Sequence, residues 1–147
     1  MTNTHGSRLW RGFTLVELLI VIIIIAVLAA IAIPKFANSS LRSKESALKA
    51  NLKLYRNAID LFKGDCGCFP GALADLTLTT APATGKNSGG SDVPIVSADY
   101  KGPYVERIEK DPVSGAAFTY STTSPTVGKV TSSASGQASD GTNYSDW

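Results

Sequence analysis

The chain has 147 residues, of which 44% are apolar and 18% charged, and its formal net charge is +2. That length holds one small domain, and no basic patch stands out that would give nucleic-acid binding electrostatic support. The single histidine is His5, and no Gly-rich phosphate loop, G-x-S-x-G or H-E-x-x-H occurs, so the common signatures of catalysis are missing from the sequence and an enzyme is not expected.

Residues 1–12, MTNTHGSRLWRG, are polar and carry Arg8 and Arg11. Basic residues ahead of an apolar run keep that end in the cytoplasm. From Phe13 onward the acidic and basic side chains balance. Residues 13–33 are polar only at Thr14 and Glu17; as a helix they are about 31 Å long, enough to cross a hydrocarbon core. Glu17 is the anomaly. An ionised carboxylate costs roughly 2–3 kcal/mol at the centre of a span and less toward its end, so a partner for it is expected. A plain membrane anchor leaves Glu17 unexplained. A secretory signal, with its A-x-A pattern at Ala30 and Ala32 and release before Ile33, is the other alternative, although an acid is unusual in that class.

Residues 34–64 read as an amphipathic helix. Leu41, Leu48, Leu52, Tyr55, Ile59 and Phe62 form one stripe, with Arg42, Lys49, Lys53, Arg56, Asp60 and Lys63 opposite. The stripe is expected to pack on the remainder of the chain, and Gly64 to cap the helix. Pro34 interrupts the backbone bonding between the two halves, and the ANSS that soon follows it is a weak helix former, so one long bent helix is allowed. Residues 65–147 read as a small β-rich head. Strands are expected at Tyr104–Ile108 and Ala117–Ser121 around the turn DPVSG, with a weaker one at Thr126–Ser132. Residues 77–99 read as a long surface loop. More than half of Ser121–Trp147 is Ser, Thr or Gly, a composition compatible with disorder, against which Tyr144 and Trp147 stand as aromatic anchors. The fold class is therefore α+β: a long N-terminal α-helix, membrane-spanning half plus amphipathic half, packed on a small C-terminal antiparallel β-sheet with long loops.

The run RGFTLVELLIVIIIIAVLAAIAIP, Arg11–Pro34, resembles the N-terminus of type IV pilins and type II secretion pseudopilins. The resemblance implies a leader, residues 1–12, removed by a prepilin peptidase between Gly12 and Phe13, N-methylation of Phe13, and a role in assembly for Glu17. Cutting there creates an amine about one helical turn from Glu17, which in a packed array can reach the Glu17 of a neighbour; pairing two such charges offsets their desolvation only in good geometry. The partners implied are other copies of the chain in a helical filament, the peptidase, an inner-membrane assembly platform driven by a cytoplasmic ATPase, and the lipid bilayer before assembly. The implied location is the inner membrane as precursor, then a periplasmic or cell-surface filament.

DCGCFPGALADL, Asp65–Leu76, is similar to the D-x-G-x-[YF]-P-x-x-L-x-x-L junction of G-type pseudopilins and short type IV pilins, and Gly102–Gly115 and the ending DGTNYSDW are similar to the same group. In major pseudopilins the C-terminal loop often holds calcium. The resemblance makes Asp140 a candidate ligand, while Ser135 stands where an Asp is frequent. Cys66 and Cys68 occupy variable positions of the junction, on the side of the membrane where disulfides form. A bridge across one residue is strained; a Cys66–Cys68 bridge, free thiols and intermolecular pairing stay open. The ending and short head favour type II secretion over a pilus for adhesion, motility or DNA uptake.

Overall fold

The computed structural model describes residues 13–147, with residues 34 and 36–38 described by backbone alone. Residues 1–12, the expected leader with Gly12 at its end, lie outside the described residues. Two compact units divide at Ser39–Ser40. Helix α1 is assigned over Leu15–Cys66, without a break at Pro34. Thr14 caps it, its Oγ1 accepting from the Glu17 N–H at 3.2 Å and its carbonyl from the N–H groups of Glu17 and Leu18 at 3.1 and 3.2 Å. A threonine hydroxyl is well suited to this, since it satisfies a donor that the first turn leaves unpaired.

In the first unit, Leu15–Ile33 is apolar on all sides and none of its most hydrophobic window is buried. Leu15 is 81% and Ile33 67% exposed. A helix hydrophobic all round needs a lipid or protein environment.

In the second unit, the helical residues from Ser40 onward supply one wall of the core. Leu48, Leu52, Tyr55, Ile59 and Phe62 are buried as the stripe predicts. Leu41 is not: it is 37% exposed, and the next stripe position is filled by Glu45, which is buried. The helix also outruns Gly64. It ends at Cys66, and the cap is Gly67, whose φ of +70° places it in the left-handed region. The Gly67 N–H reaches the Lys63 carbonyl at 2.9 Å, the bond that closes a helix on a left-handed residue. Gly64 is thus a helical position, and the junction glycine is the stop signal.

The head carries two small antiparallel sheets. Strands β1 (Phe69–Pro70), β2 (Thr84–Lys86) and β3 (Asp92–Pro94) form one, in that order, with Phe69 opposite Lys86 and Gly85 opposite Val93. Between β1 and β2 lies a 3-10 helix, Leu73–Thr77. Strands β4 (Thr119–Tyr120) and β5 (Val130–Thr131) form the second sheet, each inside a segment expected to be extended.

Two expectations about the head are corrected. Residues 77–99 are not simply a loop: β2 and β3 lie there, joined by a turn in which Asn87 Oδ1 accepts from the N–H groups of Gly89 and Ser91. Tyr104–Ile108 is not a strand. The N–H groups of Tyr104 and Val105 both donate to the Leu76 carbonyl, leaving no ladder, and Val105 is held by burial instead. The segment after β5 is folded as well: Tyr144 is buried in a second 3-10 helix, Tyr144–Asp146.

Candidate functional site

Two places carry the residues that the sequence singles out: the start of α1 and the C-terminal loop. They belong to different units and are taken separately.

At the start of α1, Phe13 is 65% exposed and Glu17 is the acid of the first turn. Thr14 and Glu17 have the spacing of a capping box, of which the structure holds one half, the bond from the Glu17 backbone N–H to Thr14 Oγ1. An acid here also faces the positive end of the helix dipole favourably. Glu17 is thus the first-turn acid of a helix whose N-terminus favours a negative charge. That signal was available as T-x-x-E at positions 14–17. Beyond Glu17, the span offers only apolar side chains to its surroundings as far as Ile33.

The C-terminal loop is built on two side chains of α1. Glu45 accepts from the Ser139 N–H at 2.7 Å, from the Ser139 hydroxyl, and from the Tyr144 hydroxyl at 2.8 Å. The bonds from Ser139 hold its carboxyl below the ordinary range, against desolvation, which works the other way. Tyr144 is pushed up to about 12 by desolvation and by its bond to Glu45. One turn on, Lys49 Nζ lies 2.9 Å from Asp140 Oδ2 and 3.9 Å from the centroid of the Trp147 ring. Asp140 Oδ1 accepts from the Thr142 N–H at 3.0 Å and hydroxyl at 2.6 Å. Thr142 and then Lys49 keep the Asp140 carboxyl well below its usual value.

The loop closes on itself too. Trp147 Nε1 donates to Thr142 Oγ1 at 2.7 Å, and the Tyr144 and Trp147 rings meet edge to face at 5.2 Å. The two aromatics are anchors, as the sequence indicates. Glu45 is named on neither face in the sequence reading, because the stripe was traced through apolar residues alone; the seven-residue gap between Leu41 and Leu48 marked its place.

A second buried carboxylate, Asp111, organises the turn before β4. It accepts from the Ser132 hydroxyl and from the N–H groups of Val113, Ser114 and Ser133. Burial alone would raise its pKa, but these donors outweigh it and the net shift is downward. Cys66 is half-buried and Cys68 buried, both free thiols, and burial raises each. Cys68 lies where β1 and β2 approach closely: a Cβ on Gly85 would meet its Sγ at 2.5 Å. Among the described residues no group of three or more His, Cys, Asp or Glu side chains gathers into a metal-binding cluster.

Residues 11–33 match the model of the prokaryotic N-terminal methylation motif. The type IV major pilin protein PilA of Myxococcus xanthus is 63% identical over 43 residues, which are 29% of this chain and 20% of that protein. The type II secretion system core protein G of Escherichia coli is 31% identical over 104 residues, 69% of this chain and 66% of that protein. Fimbrial protein Q of Moraxella bovis is 32% identical over 124 residues, 76% of this chain and 78% of its own length. The chain thus spans a fifth of the first relative and just under two thirds of the second. No solved structure matches the chain. With the methylation motif at the head of a long apolar helix and a small α+β head behind it, the chain belongs to the type IV pilin and type II secretion pseudopilin family.

Proposed function

We propose that this chain is a structural subunit of a filament and carries out no reaction of its own. It enters the inner membrane as a single-span precursor with Arg8 and Arg11 on the cytoplasmic side. A prepilin peptidase cuts between Gly12 and Phe13, Phe13 is N-methylated, and an inner-membrane platform lifts the subunit out of the bilayer into a helical array of copies. The observation that carries this reading is the apolar helix Leu15–Ile33, bare on all sides and interrupted only by Glu17 in its first turn. In the array, neighbouring helices replace lipid around the span, and the new amine of one subunit meets the Glu17 of another. The head forms the outer shell.

Within the family we infer a type II secretion pseudopilin, on the short head and the ending DGTNYSDW. The second reading, a type IV pilus subunit for adhesion, motility or DNA uptake, draws support from the relatives named as a type IV major pilin and a fimbrial protein. Deleting the gene separates them. A pseudopilin predicts secreted proteins retained in the periplasm with surface filaments unchanged. Loss of surface filaments with secretion intact would select the pilus. Unchanged filaments and unchanged secretion would reject both.

A further inference from the structure

The resemblance noted above makes calcium an expected ligand of the C-terminal loop, and the donors of this loop suit a different cation. Calcium takes six to eight oxygens, usually including several carboxylates. The loop carries two carboxylates, Asp140 and Asp146, which gather with no third acid among the described residues; Asp146 accepts from Asn143 Nδ2 at 3.3 Å, and Asp140 meets Lys49. Asp140 Oδ2 receives Lys49 Nζ at 2.9 Å and its Oδ1 receives two donors from Thr142. The neighbouring carboxylate of Glu45 has both oxygens engaged by Ser139 and Tyr144. Ser135 is exposed and brings no charge. A divalent ion placed at Asp140 would face the ammonium directly.

We propose that the Lys49 ammonium is the resident cation of the C-terminal loop, so that the loop is ordered without calcium. Lys49 holds both ends of it. Its charge neutralises Asp140, and the same ammonium sits over the Trp147 ring, a favourable position for a cation on an aromatic face. Asp140 and Trp147 flank the Tyr144–Asp146 helix, so one α1 side chain fixes both the entry and the end of the loop. A point charge delivered by the subunit's own helix does for this loop what a bound metal does elsewhere. The filament head would then be indifferent to chelators.

The test is hydrogen exchange of the full chain in detergent, read over residues 133–147 in millimolar CaCl2 and in EGTA, with calorimetric titration of CaCl2 alone. The proposal expects equal protection in both solutions and no saturable binding. Lys49→Ala is expected to speed exchange in the loop about fivefold, the size of an exposed ion pair and cation–π contact together. Lys49→Arg should restore it. Saturable calcium binding by the unmutated chain, or loop protection that rises with calcium, overturns the proposal. So does a Lys49→Ala chain with unchanged loop protection.

Discussion

The Tyr144 hydroxyl donates to Glu45 Oε1 at 2.8 Å across 99 positions of sequence. Glu45 sits on the buried stripe of α1 between apolar neighbours, and its remaining acceptor capacity is filled by Ser139. A serine- and threonine-rich tail is thereby fastened to the one element whose position the apolar periodicity dictates. Burying a carboxylate is tolerable only when donors replace its water, and the tail supplies them. The dependence is mutual: the helix orders the loop, and the loop satisfies the helix.

Stability should consequently depend on pH at both ends of the scale. Glu45 and Asp111 have lowered pKa values in the fold, so their contribution is present above the unfolded values, about 4, and is lost as pH falls through the folded ones. Tyr144 is raised to about 12; its contribution is present below about 10 and is lost as pH rises toward the folded value. Thermal melting of the chain in detergent should be flat between about pH 5 and 9 and fall outside that range. Asp111→Ala should lower stability by about 2–3 kcal/mol at neutral pH, since several donors lose their acceptor. A melting temperature that rises on acidification below pH 4 would contradict the assignment.

The end of α1 gives a paired test. Gly67→Ala should destabilise by about 1–2 kcal/mol, the cost of a Cβ in the left-handed region; a Cβ there meets nothing within 4 Å, so the penalty is conformational. Gly64→Ala should be neutral or stabilising by about 0.5–1 kcal/mol, because an alanine loses less freedom in a helix, and a Cβ at Gly64 also meets nothing within 4 Å. Denaturant titration of the two variants checks both signs. The reverse order would return the helix stop to Gly64.

These two glycines show where the sequence was informative and where it was not. Apolar periodicity identified the helix because burial repeats with the helical period from Leu48 to Phe62. It could not distinguish two glycines near the helix end, since either tolerates either conformation. The first sheet escaped notice because β1, β2 and β3 are two or three residues long, too short for alternation to register. Their signal was the turn, NSGGS at positions 87–91, between Thr84–Lys86 and Asp92–Pro94. Tyr104–Ile108 was read as a strand on residue type, but its aromatic and branched side chains serve the core from a bent segment: Tyr104 packs on Phe62 at 5.5 Å between ring centroids. At the start of α1 the apolar run with its single carboxylate led to the family whose methylation motif matches residues 11–33, while the cap Thr14 was read only as a polar exception in the run.

The cysteines should act locally if they act at all. Burial raises both thiols, so little thiolate is present near neutrality and intermolecular exchange should be slow. Oxidised filaments run on a non-reducing gel should show monomer without a covalent ladder. A ladder that disappears in Cys66→Ser would place that thiol at a contact between subunits.

Glu17→Gln isolates charge from capping. Glutamine at this position keeps the side-chain volume and leaves the bond from the residue-17 backbone N–H to Thr14 Oγ1 available, and removes the negative charge. The substitution should leave insertion and cleavage after Gly12 intact and reduce filament number by about tenfold or more, as expected when a desolvated amine loses its partner. Glu17→Ala should do no better. Electron microscopy of sheared or overproduced filaments supplies the count. Normal assembly of Glu17→Gln would remove ion pairing from the account and leave Glu17 as a first-turn acid at the positive end of the helix dipole.

The central claim, that this chain is a processed filament subunit, is tested most directly by the mass of the N-terminal peptide from membrane-extracted or filament-derived protein. The account predicts a chain that begins at Phe13 and carries one methyl group on its amine. A chain that retains Met1–Gly12, or one that begins at Ile33, would contradict it.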